Sequence, residues 1–477
     1  MTNNRLWILV VIVLIGSSSV AQTEMSSFTT TGSGLSTTML SDYQTSGINP
    51  ANLGWNRDGR KFHFGVAEIS GSVFSQPLTR SDLFDLFKSD ADFSTYDKAE
   101  AVKNFSNARL ILDVSAMSAG FSFQDEKIGG FAFQVRDRNL TNLKMNNLVA
   151  DILWLGYNSD YFDQKVIDEV TGQVIAGIST NPMSITDLLK GTTFTQLWIR
   201  EYGLSYGRSV YSSDDVRLYV GAGIKLLSGM GIIEITTEED KMVAYSSLSP
   251  GFKFNYPQPT PSQASGNGYS PVGHGTAFDL GVTIDLYNQV RIGMAVNDIG
   301  SLTWDGNVYE ANYSATVSHI ETGGIGTESI DKIFDAIAVK DDLFEWNGLT
   351  EKKTNLPTVW RTGANYTGLK KLTLGFDLMA PLQKLPGSYE QMVWGIGAHY
   401  NPYGRFVLTA GIGGGGNTGF RMPLGISFEI LPGWEAGLAT RDITTLFKDK
   451  DPYLSVALGF LRFGFGSYDS DEKIEGQ

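Results

Sequence analysis

Gly411-Ile412-Gly413-Gly414-Gly415-Gly416 has the spacing of a dinucleotide-binding loop. Such a loop cradles a pyrophosphate only when a helix N-terminus follows and aims its amides at the phosphates. Here Asn417-Thr418-Gly419-Phe420-Arg421-Met422-Pro423 leads into another alternating apolar run, so the segment reads as strand and turn. The four histidines, His63, His274, His319 and His399, are too scattered for a zinc site. The acidic run Asp469-Ser470-Asp471-Glu472 lacks the spacing of a calcium loop and reads as a solvated tail. There is no cysteine, which excludes disulfides, thiolate metal sites and cysteine nucleophiles. No phosphate-binding Gly-x-x-x-x-Gly-Lys-Ser/Thr, His-Glu-x-x-His or Gly-x-Ser-x-Gly element is present. Nothing assembles a nucleophile, a base and an orienting group, so the chain reads as a non-enzyme without cofactor or metal.

The elements that position the remaining polar residues are strands. Only 18% of residues are charged, while 54 are glycine, a balance that suits sheet with tight turns. The net charge of -14 argues against a nucleic-acid partner, because phosphate binding needs a basic face. Past residue 60 apolar residues alternate with small or polar ones. Phe278, Leu280, Val282, Ile284 and Leu286 are followed by Val290, Ile292, Met294 and Val296, and similar runs occupy 216–226, 372–378, 392–398 and 424–430.

Six short connections, at 125–127, 212–215, 287–289, 368–371, 401–404 and 431–433, alternate with long ones near 76–108, 139–193, 228–274 and 305–355. Short periplasmic turns and long external loops mark an outer-membrane barrel. Six hairpins plus an opening strand at 60–75 and a closing strand at 453–466 predict an all-β, transmembrane antiparallel β-barrel of about 14 strands. Helical patterns at 81–87, 140–155 and 329–339 predict short helices on the external loops.

Residues 1–21 carry one positive charge, an unbroken apolar run from Leu6 to Ile15 and small residues at Ser19 and Ala21, the pattern of a secretory signal peptide. The expected organisation is a signal peptide (1–21), an N-terminal hatch or plug inside the lumen (22–59), an outer-membrane β-barrel (60–466) and a periplasmic C-terminal tail (467–477). The expected location is the cell outer membrane, with its lipids as partners. A fourteen-stranded barrel encloses a sizeable lumen, and the polar segment 22–59 is available to fill it.

If apolar residues point outward, the turns fix which polar residues line the lumen. Around 287–289, Leu286 faces Val290, so Asp285 faces Arg291. Around 367–371, Tyr366 faces Leu372, which sets Arg361 opposite Asp377. Around 431–433, Ile430 faces Trp434, which sets Glu429 opposite Glu435. Glu201, Arg217, Lys225 and Asp279 complete the expected lumen wall, with Asp113, Arg136 and Arg441 as further inward candidates. A wall carrying both signs is unlike a one-sign ion channel, and pairing is the usual way to hold buried charge.

Asn49-Pro50-Ala51 lies in the polar segment, followed by Arg200-Glu201-Tyr202-Gly203-Leu204-Ser205-Tyr206 and Asn297-Asp298-Ile299-Gly300-Ser301-Leu302-Thr303-Trp304. On these residues the sequence resembles the outer-membrane long-chain fatty-acid transporter (FadL-like) superfamily, closest to a branch of unassigned function in bacteria with type IX secretion. The resemblance implies an Asn-Pro-Ala hatch ahead of a fourteen-stranded barrel. It also implies a plugged, porin-like transporter for a hydrophobic or amphipathic small-molecule ligand. The other class is a non-transporting outer-membrane component, such as a secretion-associated shuttle or scaffold, that meets a secretion or surface partner through its external loops. A continuous apolar groove from loops to hatch would favour the first, and a sealed, salt-bridged lumen the second.

Overall fold

The computed structural model describes residues 27–88, 96–238, 241–254, 258–312, 316–327, 345–383, 385 and 388–468. The expected signal peptide, the helix at 329–339 and nearly all of the C-terminal tail lie outside these residues.

Fourteen antiparallel strands close into a barrel. They are β1 (Arg60–Ser75), β2 (Arg109–Asp125), β3 (Gly129–Lys144), β4 (Thr193–Ser212), β5 (Val216–Glu238), β6 (Gly273–Leu286) and β7 (Val290–Trp304), followed by β8 (Val359–Leu369), β9 (Leu372–Pro381), β10 (Val393–Tyr400), β11 (Phe406–Gly415), β12 (Leu424–Leu431), β13 (Trp434–Thr440) and β14 (Tyr453–Ser467). Each pairs with its sequence neighbour, including β5 with β6 and β7 with β8, where other short strands also join the edges. β1 pairs with β14, from Arg60 opposite Ser467 to Phe74 opposite Tyr453, and so closes the ring. The short turns share the end of the barrel that carries Arg60 and Ser467.

The strands form because their apolar residues repeat every second position. The apolar face is outside. Phe64, Phe121, Phe131, Leu204, Leu226, Leu280, Met294, Phe376, Ile396 and Leu458 all belong to strands and are all exposed. The inner face carries glycine, serine, threonine and charge. At the opposite end, the long connections build a cap with its own apolar core. Helix Asn147–Leu155, the extended hairpin of β5 with Lys241–Leu248, and a three-stranded sheet of Gln164–Ile167, Val174–Ser184 and Thr316–Ile320 pack around Met145, Ile152, Phe162, Met242 and Trp346. Helix Arg80–Lys88 stands where the pattern at 81–87 places one. The pattern at 140–155 is helical only from Asn147, because β3 runs on to Lys144.

The expected registers meet different fates. Leu286 stands opposite Val290 and Asp285 opposite Arg291. Glu429 stands opposite Glu435, although the turn closes on Leu431 and Trp434 rather than on Ile430 and Trp434. The Arg361–Asp377 register is corrected. Arg361 stands opposite Met379, and Asp377 opposite Gly363. The turn is tighter than its residue types suggest: β8 continues to Leu369, Lys370 and Lys371 make the turn, and with a one-residue bulge between Tyr366 and Leu369 the ladder ends two residues from the expected register.

Candidate functional site

Residues 27–55 fill the lumen as a hatch, almost every side chain buried. A short helix, Phe28–Thr31, leads into turns and two 3-10 segments, Tyr43–Thr45 and Pro50–Gly54. Asn49 explains the second. Its side-chain oxygen accepts the Ala51 amide (3.3 Å), capping the turn, and Pro50 occupies the first position, where a missing N–H costs nothing. Its amide nitrogen donates to Thr37 O (3.2 Å) and Thr283 Oγ1 (2.9 Å), tying the turn both to the hatch and to β6. Thr283 in turn donates to Asn52 Oδ1 (2.8 Å). Ala51 is fully buried.

The wall receives the hatch on glycines. Gly65, Gly120, Gly130, Gly207, Gly221, Gly281, Gly293, Gly363, Gly375, Gly397, Gly411, Gly425, Gly437 and Gly459 come one from each strand. At every one of them an added β-carbon would fall within 3.1 Å of a hatch atom. The hatch winds around the inside of the wall in order. Phe28 meets β13 and β14, Ser33 meets β10 and β11, Leu35 meets β9, Thr37 meets β8 and Thr38 meets β7. Tyr43 then crosses to β1 and β2, and residues 49–53 return against β3 to β6. The glycine-rich run at 411–416 thus contributes close approaches rather than a phosphate loop: Ser33 O lies 2.3 Å from the β-carbon position of Gly411, Trp394 O 2.8 Å from that of Gly413, and Tyr389 2.8 Å from that of Gly416, while Met392 O crowds that of Gly415.

Polar side chains lock the seat. The Ser36 and Thr37 amides donate to Asp377 Oδ2 (2.7 and 2.8 Å). Ser33 Oγ and His399 Nε2 share a hydrogen bond of 2.7 Å. Gln124 donates to Leu53 O and Trp55 O, and Gln134 to Ser46 O. Glu68 accepts from Tyr43 Oη (2.5 Å) and Gln44 Nε2 (2.8 Å). Near the short-turn end Arg462 bridges Asp42 of the hatch and Glu435 of β13, while Arg60 pairs with Glu429. The two carboxylates that face each other across the turn therefore each have their own arginine. Burial alone would push the Asp42 carboxyl up, but the Arg462 guanidinium holds it below the usual carboxylate range.

The remaining expected wall residues divide into two sets. Asp285 pairs with Arg291 (2.5 Å), whose guanidinium lies 3.6 Å from the centre of the Trp55 ring. Arg217 stands opposite Asp285 on the other side. Deeper in, Lys225 bridges Asp279 (2.8 Å) and Asp298 (2.5 Å), and Arg138 bridges Asp298 (3.3 Å) and Glu201. Arg361 Nε donates to Asn297 Oδ1 (2.9 Å) beside this cluster. Arg441 pairs with Asp113 (2.5 Å).

Asp298, Arg138, Glu68, Arg462 and the glycine seat were not singled out by sequence reasoning as wall contacts. Two of them leave a trace. In β7 the exposed apolar residues switch from even (Met294) to odd (Ile299), and in β1 from Phe64 to Ile69. Each switch falls at a residue with positive φ: Asp298 (60°), where the register with β6 shifts, and Ala67 (54°), where the registers with β2 and β14 are kept. These breaks in the extended backbone turn Asp298 and Glu68 into the lumen.

A protein-family profile matches residues 56–384, from just before β1 to just after β9, under the description "Family of unknown function (DUF5723)". The chain belongs to this family. Among solved structures, this DUF5723 chain is similar to the toluene transporter TodX of Pseudomonas putida, with 10% identity over 94% of this chain and 98% of that one and a TM-score of 0.45. It is also similar to the toluene transporter TbuX of Ralstonia pickettii, with 13% identity over 93% and 100% and a TM-score of 0.46. A Pseudomonas aeruginosa FadL homologue shows 12% identity over 94% and 99%, with a TM-score of 0.41. No curated protein matches the DUF5723 chain.

Proposed function

We propose that this protein is an outer-membrane transporter for hydrophobic or amphipathic small molecules, held closed by a hatch that must rearrange to let them pass. The observation that carries the reading is the fitted seat: all fourteen strands give up a side chain so that one non-covalent plug can be received. The exposed apolar belt suits lipid as the barrel's solvent. A cluster of Leu197, Ile199, Leu227, Leu302 and Trp304 gives the capped half of the barrel an apolar interior where such a molecule would first be held. The resemblance of Asn49, Pro50 and Ala51 to the superfamily hatch supports the same reading, with these residues as its hinge and anchor. The polar lumen wall (Glu201, Arg217, Lys225, Asp279, Asp285, Arg291, Arg361, Asp377, Glu429 and Glu435) would serve as the frame against which the hatch moves.

One observation favours the second reading, a secretion-associated or scaffolding component acting through the external cap. The layer around Lys225, Asp279, Asp298, Arg138 and Glu201 is buried and paired. Uptake separates the two. Purified protein in liposomes of outer-membrane lipid should admit a labelled long-chain fatty acid or a monoaromatic hydrocarbon faster than empty liposomes. Equal rates, with the barrel folded, would leave the scaffold reading in possession.

A further inference from the structure

Glu68 and Arg136 face one another across a strand. Glu68 on β1 stands opposite Met117 on β2, and Met117 stands opposite Arg136 on β3. All three side chains are buried in the lumen. Glu68 reaches it only because the backbone at Ala67 adopts φ 54°, a conformation that costs a non-glycine residue energy. With adjacent strands ~4.8 Å apart, the two Cα atoms are ~10 Å apart, within the combined reach of a glutamate and an arginine.

In the seated state they have different partners. Both oxygens of Glu68 are taken by the hatch, through Tyr43 and Gln44. Arg136 donates from Nη2 to Gln134 (3.2 Å), while its Nε and Nη1 have no hydrogen-bond partner among the described residues. A buried guanidinium with idle donors is costly. Between them lies a small cavity, lined by Glu68, Arg136, Ser27, Gln44, Ser115 and Met117. It is too small for more than a water molecule.

We propose that Arg136 is the standby partner of Glu68. When the hatch withdraws, Tyr43 and Gln44 leave with it, and Arg136 swings across the cavity to take the bared carboxylate. The seated hatch thus keeps apart two charges that its departure unites, so part of the cost of unseating is returned by the new ion pair. This rests on the reading that the hatch moves.

The absence of cysteine makes the test clean. Ser46 is buried in the hatch, and Ser46→Cys in the full chain, folded in outer-membrane lipid, reports unseating through its rate of thiol labelling. Arg136→Gln should slow labelling roughly tenfold, the scale of losing a hydrogen-bonded charge partner. In a Glu68→Gln background the same substitution should have little effect. Arg136→Lys, which keeps the charge, should fall between and covers the case in which the glutamine variant does not assemble. Equal slowing in both backgrounds, no slowing in either, or a lysine variant that labels no faster than the glutamine one would overturn the exchange while leaving hatch movement intact. No labelling of Ser46→Cys in the otherwise native chain would overturn hatch movement itself, and the exchange with it.

Discussion

At the level of single residues, the hatch is held by charges that have left water. Removing one member of a buried pair strands the other, at a cost of about 3–5 kcal/mol, whereas an exposed pair is worth about 0–1 kcal/mol. Asp42 and Arg462 are of the first kind. Asp42→Ala should therefore loosen the hatch markedly without dissolving the barrel, read as faster protease cleavage within 27–55 and unchanged heat-modifiable migration. The pH dependence follows from the lowered carboxyl of Asp42. A depressed folded-state value means that the stabilisation is fully present above the ordinary carboxylate pKa of 3.8 and is lost as pH falls through the lower, folded value. The contribution of Asp42 to hatch protection should thus be constant from neutral pH to about 4 and weaken only below it. Asp42→Asn should abolish that acid-dependent loss; an unchanged acid profile in Asp42→Asn would assign it to another group. Asp285 and Arg291 offer a second measurement. A double-mutant cycle with alanine at each should show coupling, because the guanidinium also stacks on Trp55 and loses its orientation when Asp285 goes.

At the level of elements, the seat predicts a contrast between glycines that look alike in sequence. A β-carbon on Gly281 would lie 2.1 Å from Asn49 Oδ1, and one on Gly221 would lie 2.3 Å from Pro50 C. On Gly71 of β1 the nearest atoms are 3.9 Å away. Overpacking costs about 1–3 kcal/mol. Gly221→Ala and Gly281→Ala should unseat residues 49–53, while Gly71→Ala should leave hatch protection unchanged; equal protection in all three would mean that the seat is not a fitted surface. The sequence makes the strands legible because their period is two and their short turns are rich in turn-forming residues. It places Asp285 against Arg291 because the turn Tyr287-Asn288-Gln289 interrupts the ladder without a bulge. It misplaces Arg361 against Asp377 because the strands close on a two-residue turn between Leu369 and Leu372, and a bulge after Tyr366 takes back only one residue of that displacement. In mid-strand an irregular residue is legible as a change of phase, at Ala67 and at Asp298. The glycines are visible as a small inner face, but not as a seat, because that depends on a hatch whose own segment has no periodicity.

At the level of the whole molecule, three layers lie along the barrel axis: the apolar cap core, the paired charges around Lys225 and Asp298, and the hatch in its glycine seat. On the proposed transport reading, a ligand entering from the cap would meet all three in turn, so its passage would require coordinated movement rather than diffusion through a standing pore. The central claim is that the N-terminal hatch is what seals this barrel. It is tested most directly by single-channel recording in planar bilayers, comparing the chain from residue 22 onward with the same chain lacking residues 27–55 and with Gly221→Ala/Gly281→Ala. The full chain should be silent, the deletion should conduct in uniform steps, and the double substitution should flicker between the two. A silent deletion with a folded barrel, or steady conduction by the full chain, would contradict the claim.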